Sequence, residues 1–384
     1  MSKKKRQRTL DYSLLTAVLF LVTVGSIIVY SASSALGAKE FMDPGFFFTR
    51  HLARAGLGLA FLFAFLYIDY NKLRPFAKPL LLVVLTLLLY LVVSNDVLKL
   101  KGATRWLSFF GFSLQPSEMM KFVLILYVAD VMVRKQDRLD DFLNGYMPML
   151  FVISGTLALI LVQPDLGTSC VIFAIIAMIF FAGKVKLTHL LGTVVFALPF
   201  GWITIQNNAY MKDRLTTFMD PWQDPQGSGY QIIQSLISFG NGGIFGQGLG
   251  QSKQKLLYLP DPHTDFIFAI LGEEFGLLGT VAILAIFMFL FWRGLSIAAS
   301  APNLFGMLLA TGITGAIAIA GLVNMAVTVS LLPTTGLPLP FISYGGTSLV
   351  LTLAAVGILL NISKSIDKPM NASETPQKAV ARVA

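Results

Sequence analysis

Apolar runs of about 18 residues or more recur along the whole chain, and that is the length a helix needs to cross a bilayer. In lipid every backbone amide must find its partner within the protein, so such runs can fold only as helices or closed barrels. Runs this long and this uniformly apolar are helical. Composition agrees: 55% of the 384 residues are hydrophobic and 13% are charged, where an ordinary soluble domain carries about 25% charge. Mean hydropathy is +0.73. The expected fold is an all-α polytopic membrane protein.

Ten spans are expected, over residues 11–32, 53–69, 79–95, 116–133, 146–163, 166–183, 187–205, 265–292, 304–331 and 345–363. Placing the N-terminus in the cytoplasm puts Lys3, Lys4, Lys5, Arg6 and Arg8 inside, followed by Lys72/Arg74/Lys78, Arg134/Lys135/Arg138, Lys184/Lys186 and Arg293. These short inner loops are dense in Lys and Arg, as the positive-inside rule requires. The net charge of +9 therefore reads as orientation, and no nucleic-acid partner is expected. An even span count returns the C-terminus to the cytoplasm. The expected organisation is a basic cytoplasmic start over 1–10 and a transmembrane domain over 11–364, with 206–264 as a large extracytoplasmic loop. The segment 365–384 has few large apolar residues and is expected to be a disordered cytoplasmic tail.

A secretory signal competes for the first run, but Tyr12 to Tyr30 is longer than a typical signal core and reads as an uncleaved span. Cys170 is the only cysteine, which excludes an intramolecular disulfide and a thiolate metal cluster. Its apolar neighbours suggest an inert, packed thiol. His51, His189 and His263 are far apart in sequence and form no HExxH pattern.

With this orientation every chemically unusual stretch falls on the outer side: 102–121, 163–169, 210–265 and 333–347. In the first, Pro116 suits the opening turn of a helix and Glu118 favours its N-terminal dipole. Glu118 and Lys121 share a helical face, either as a salt-bridged cap or as a buried cation for an anionic substrate. Asp165 reads most simply as an N-cap. The glycines of 240–250 offer either a backbone that approaches phosphate or a flexible turn, with Lys253 and Lys255 close behind. No GxxxxGK[ST] sequence is present, which excludes a P-loop. Thr264 can cap a helix whose first turn holds Asp265. Glu273 and Glu274 further along are hard to explain by packing alone, and with histidine scarce a carboxylate is the expected proton acceptor. The prolines of 332–341 cannot continue a helix, so this stretch is expected either to dip into the interface or to form a re-entrant wall leading to Ser343. Asn324 and Ser330, upstream of it, can bond to a neighbouring helix.

Together Gln115–Lys121, Gln163–Ser169, Gly246–Gly276 and Leu332–Ser348 resemble the SEDS family (shape, elongation, division and sporulation proteins), over about Asp11 to Ile362. The stretch from Gly248 looks more like its division and sporulation members than its elongation members. The resemblance implies a peptidoglycan glycosyltransferase that polymerises lipid II at the outer face of the bacterial cytoplasmic membrane, at the division septum. It implies Asp265 as the catalytic carboxylate and Glu118 with Lys121 as a second functional pair. It also implies a divalent cation, Mg or Mn, although the sequence shows no recognisable metal motif and leaves the ligands open, with Asp265 as one candidate; and it implies a class B penicillin-binding protein partner among other divisome membrane proteins. Arg105, Arg214, Lys253 and Ser343 are expected to bind substrate. Three other readings stay open: a lipid II flippase, a RodA-type elongation polymerase of the same family, and a non-catalytic scaffold.

Overall fold

In the computed structural model, described for residues 7–8, 10–93, 98–100, 103–109 and 112–368, the expected helices form in order. The basic residues before Gln7, the two lysines flanking Leu100 and the tail beyond Lys368 carry expectations that lie wholly or partly outside the described residues and side chains. A two-residue strand β1 (Gln7–Arg8) precedes α1 (Tyr12–Phe41), α2 (Phe46–Tyr67), a 3-10 turn over Tyr70–Phe76 and α3 (Ala77–Val93). Three short strands follow, β2 (Leu98–Leu100), β3 (Ala103–Phe109) and β4 (Phe112–Leu114), paired antiparallel in that order. Then come α4 (Pro116–Arg134), α5 (Met147–Val162), α6 (Leu166–Ala182), α7 (Leu187–Asn207), α8 (Ala209–Met219) and α9 (Tyr230–Gly242). The chain closes with α10 (Ile267–Ala299), α11 (Leu304–Thr328), α12 (Thr347–Lys364) and β5 (Asp367–Lys368), which pairs with β1.

Ten of these helices lie over the ten expected spans. Among the described residues, seven segments are long and apolar enough to cross a membrane by length and composition, and α6 is a shorter apolar helix. Helix α4 buries the charged side chains of Glu118, Lys121 and Asp130, whereas α2 carries an exposed Arg50 and a half-buried Arg54 near its start. The chain is a multi-pass membrane protein.

Helix α1 starts where the Asp11 side chain accepts the amide of Leu14 at 3.1 Å. It runs without a break to Phe41. Helix α11 is the most enclosed. Its glycines let neighbours come close: a Cβ built on Gly312 would meet Ile125 and Ile179, and one on Gly321 would lie 2.6 Å from Phe287. Small residues serve this purpose wherever membrane helices cross tightly. Helix α7 is the opposite case, with none of its residues buried.

Two expectations need correction. Cys170 is exposed rather than packed, because the fifth residue of α6 turns away from the core. The eighth span is not one continuous helix. Gly276 has φ 66°, ψ −162°, which breaks α10 into an upper piece and a lower piece. Every residue from Phe266 to Glu274 is buried, whereas Phe275, Leu277 and Leu278 are exposed. The upper piece is therefore encased in protein, against α9 and the glycine loop.

Candidate active site

The outer stretches do converge. Asp165 caps α6, accepting the amide of Thr168 at 3.3 Å, and it also accepts the Ser117 hydroxyl at 3.3 Å and the Gln115 amide at 3.5 Å. The cap reading of Asp165 holds, and the cap is shared with the start of α4. Arg105, from β3, donates to the carbonyl of Gln163 at 2.9 Å and to that of Pro164, and lies 3.8 Å from Asp165. Its guanidinium is thus occupied in fixing the α5–α6 turn, which counts against its expected role as a free cation for substrate.

Glu118 and Lys121 form a buried ion pair at 3.0 Å on the same face of α4, one turn below Ser117. Arg214, on α8, donates to the carbonyl of Thr334 at 3.0 Å and stacks over Tyr210, 4.4 Å from the ring centre. Burial holds its pKa below the ordinary value. Tyr210 pushes the other way, Arg105 lowers it further, and the carboxylates of Asp265 and Asp165 raise it. The charges of Arg105, Asp165, Arg214 and Asp265 therefore share one electrostatic neighbourhood.

Asp265 is half-buried and precedes α10 by two residues, so it is not in the helix's first turn. No side chain caps that helix. The Thr264 hydroxyl instead bonds to Asp261 O at 3.1 Å and Asp265 Oδ1 at 2.6 Å. Capping is removed as the reason for this carboxylate. A Cβ built on Gly336 would lie 3.9 Å from Asp265 Oδ2, which places the second oxygen against the 332–341 wall. The two segments are tied by Asn324, whose Nδ2 donates to Asp265 O and Leu337 O, each at 2.7 Å.

The wall itself is re-entrant, as the prolines require. Leu337, Leu339, Phe341 and Ile342 are buried. A Cβ built on Gly25 of α1 would lie 2.6 Å from Ile342 Cα, and one on Gly167 of α6 would lie 2.6 Å from Thr335 Cβ. Ser343 is a turn residue here. Its hydroxyl accepts the amide of Leu339 at 2.8 Å and is buried, which removes it from the substrate-facing set.

The glycine loop does different work from that expected. Leu277 N donates to Gly243 O at 2.9 Å and Leu278 N to Ile244 O at 3.2 Å, while Gln247 N donates to Glu273 O at 2.9 Å and Gly248 N to Glu274 O at 3.0 Å. The loop supplies the partners that α10 loses at its break. Glu273 accepts the amides of Lys253 and Gln254, the Ser252 hydroxyl and the Asn241 side chain. Glu274 accepts Ser31 Oγ at 2.6 Å and Lys255 Nζ at 3.3 Å. The two glutamates thus hold the loop, and the phosphate-cradle reading of its glycines fails. Lys253 is exposed on this loop, and no contact brings its side chain to Asp265. Sequence reasoning gave Asn324 a bond to a neighbouring helix but missed its two hydrogen bonds to Asp265 O and Leu337 O, and it missed Gln115 and Ser117 as partners of Asp165. The polar side chain within an apolar span was the available signal for Asn324.

Comparison with known proteins follows the same geometry. The chain is 44% identical over 353 residues to the probable peptidoglycan glycosyltransferase FtsW of Geobacter metallireducens, covering 92% of this chain and 94% of that one. It is 43% identical over 356 residues to the stage V sporulation protein E of Bacillus subtilis, with 92% and 97% covered. Among solved structures, a chain of a peptidoglycan synthase complex matches with TM-score 0.74 at 28% identity, over 93% of this chain and 98% of that one. The rod shape determining protein RodA of Thermus thermophilus matches with TM-score 0.67 at 26% identity, over 94% and 98%. The family model of the FtsW, RodA and SpoVE cell cycle proteins covers residues 12–368, and the chain belongs to that family.

Proposed function

We propose that this chain is a peptidoglycan glycosyltransferase that polymerises lipid II at the outer face of the cytoplasmic membrane, in septal wall synthesis during division. The observation that carries the reading is Asp265. It is a carboxylate with no capping duty, one oxygen held by Thr264 and the other facing the wall, in the field of Arg214. In glycosyl transfer the acceptor sugar hydroxyl attacks the anomeric carbon of the donor. Asp265 takes the hydroxyl proton as the new C–O bond forms. The bond to the lipid pyrophosphate breaks, and charge grows on that leaving group. Arg214 is the better cation to offset it, because Arg105 is already bound to two carbonyls and Asp165. Lys121, paired with Glu118, adds positive charge next to the Ser117–Asp165 link.

Asp265 is the carboxylate that would hold a divalent cation at this site, with the rest of its ligands coming from substrate and water. No three His, Cys, Asp or Glu converge among the described residues, and magnesium is commonly held by one or two carboxylates plus phosphate oxygens and water. Asp265 would hold it. Bound there, it would supply Lewis-acid charge.

The proposed partners are a class B penicillin-binding protein and other divisome membrane proteins. The likeness to a chain of a complex whose subject is coordinated polymerization and crosslinking supports the first of these. The deciding experiment is polymerisation of lipid II by the purified chain in detergent, with and without a class B partner and Mg or Mn. The parent should yield glycan polymer with no membrane to cross, which a flippase would not. Asp265→Asn should yield none while keeping the parent's helix content and thermal transition, and polymer from that variant would remove Asp265 as the base.

A further inference from the structure

Two helices give independent rulers for depth. Asp11, at the start of α1, pairs with Arg293 of α10 at 2.6 Å, and the adjoining Tyr12 and Trp292 are exposed. A charged pair flanked by exposed aromatic residues marks a membrane–water interface, here the inner one. From Asp11 to Ser31 is about twenty residues, or about 30 Å of helix. From Arg293 to Glu274 is about nineteen residues, or about 28 Å. The two endpoints meet, Ser31 Oγ to Glu274 Oε1 at 2.6 Å. The rulers therefore agree, and they place the Ser31–Glu274–Lys255 cluster at the outer edge of a hydrocarbon core about 30 Å thick.

The loop between α9 and Lys253 hangs below that edge. Its bonds from Leu277 N to Gly243 O and from Leu278 N to Ile244 O fix Ile244 and Phe245 at the depth of Leu277 and Leu278. That is about 22–24 Å above Arg293, or roughly 6–8 Å inside the outer boundary. Helix tilt shortens the rise and only deepens the placement. Ile244 is 58% exposed and Phe245 80%, beside Leu277 and Leu278 at 57% each. No charged residue occurs from Pro225 to Ser252. Irregular backbone is normally barred from lipid because its amides go unpaired. In this loop the break in α10 supplies those partners.

We infer that residues 242–250 form a wedge inserted into the outer leaflet, with Ile244 and Phe245 in contact with lipid acyl chains. The wedge clamps the break at Gly276, so the leaflet helps fix the short buried piece of α10 that leads to Asp265. The inference rests on the membrane-spanning reading of α1 and α10 and does not depend on the reaction proposed above.

The test uses the full chain with Cys170 replaced by Ala and single cysteines at Phe245→Cys, Ile244→Cys, Leu278→Cys or Gln226→Cys. Each is spin-labelled, reconstituted in phosphatidylcholine–phosphatidylglycerol vesicles, and probed by oxygen and by a water-soluble nickel chelate. Labels at 245 and 244 should favour oxygen over nickel as strongly as the label at 278, and at least severalfold more than the label at 226. Two positions guard against one variant failing to fold. Nickel access at 244 and 245 equal to that at 226 would overturn the wedge. Shielding from both reagents would also overturn it, because the occupant would then be protein, either a second copy or a partner helix.

Discussion

Replacing Lys255 by Met tests the lock between the glycine loop and the bundle. Lys255 Nζ lies 3.3 Å from Glu274 Oε1, 3.0 Å from Ser31 Oγ and 2.6 Å from Gly250 O. The lysine side chain is 9% exposed and the glutamate 0%. Methionine keeps the length and removes the charge, leaving the Glu274 carboxylate with the Ser31 hydroxyl as its remaining donor. Breaking a buried ion pair from one side costs about 3–5 kcal/mol. With an unfolding entropy of about 2.1 cal/mol/K per residue, a chain of 384 residues converts that to a fall of about 4–6 °C in its thermal transition. The assay is intrinsic fluorescence against temperature in one detergent at one scan rate. Adding Glu274→Gln to Lys255→Met removes the stranded charge and should restore more than half of the loss. A Lys255→Met transition within about 1 °C of the parent, or a double variant no better than the single one, would refute the buried-pair account.

Other outcomes follow from the same geometry. Gly276→Ala should destabilise the chain, since φ 66°, ψ −162° is a region open essentially to glycine alone that costs another residue about 1–3 kcal/mol and the new atom would press on the Ile244–Gly246 backbone; the thermal transition reads this. Asn324→Leu strands two carbonyls at about 1–3 kcal/mol each and frees Asp265. Polymerisation should slow by about tenfold or more, while lipid II affinity, measured by binding, changes little. Arg105→Lys should lower stability more than turnover, because a lysine cannot hold two carbonyls and Asp165 at once. Arg214→Lys should do the reverse in the polymerisation assay, as its loss falls on the leaving-group side.

The sequence made the ten long helices legible because lipid leaves so few options to an apolar run, and charge density in the loops oriented them. Asp165 as a cap was equally legible, since the residue and its helix start are neighbours in sequence. What stayed hidden were relations between distant segments. Nothing near Glu273 or Glu274 says that a loop some thirty residues upstream will hydrogen-bond across a break in their helix. Arg105 and Ser343 looked like substrate ligands because an outer arginine and an outer serine carry no local mark of being taken up by a turn. Asp265 was expected in the first turn of α10 and lies two residues before it, so it does not serve the helix start and is held instead by the Thr264 hydroxyl. The hairpin of β2 to β4 was overlooked because its short runs are hydrophobic and sit next to longer ones.

The packing of α12 on α2 sets an order of assembly. A Cβ on Gly58 would lie 2.6 Å from Leu353 Cδ1, and one on Gly357 would strike the backbone at Leu62, so the two helices approach through glycines on both sides. Asn361 completes the joint, donating to Leu66 O at 2.8 Å and accepting Tyr70 N at 3.1 Å. Of the spanning helices, α2 emerges second during synthesis and α12 last. Helix α2 carries Arg50 and Arg54 and would enter lipid poorly by itself. The α2 glycine face, the Leu66 carbonyl and the Tyr70 amide therefore gain these partners only when α12 packs, and a chain lacking the residues from Thr347 on leaves them without those partners.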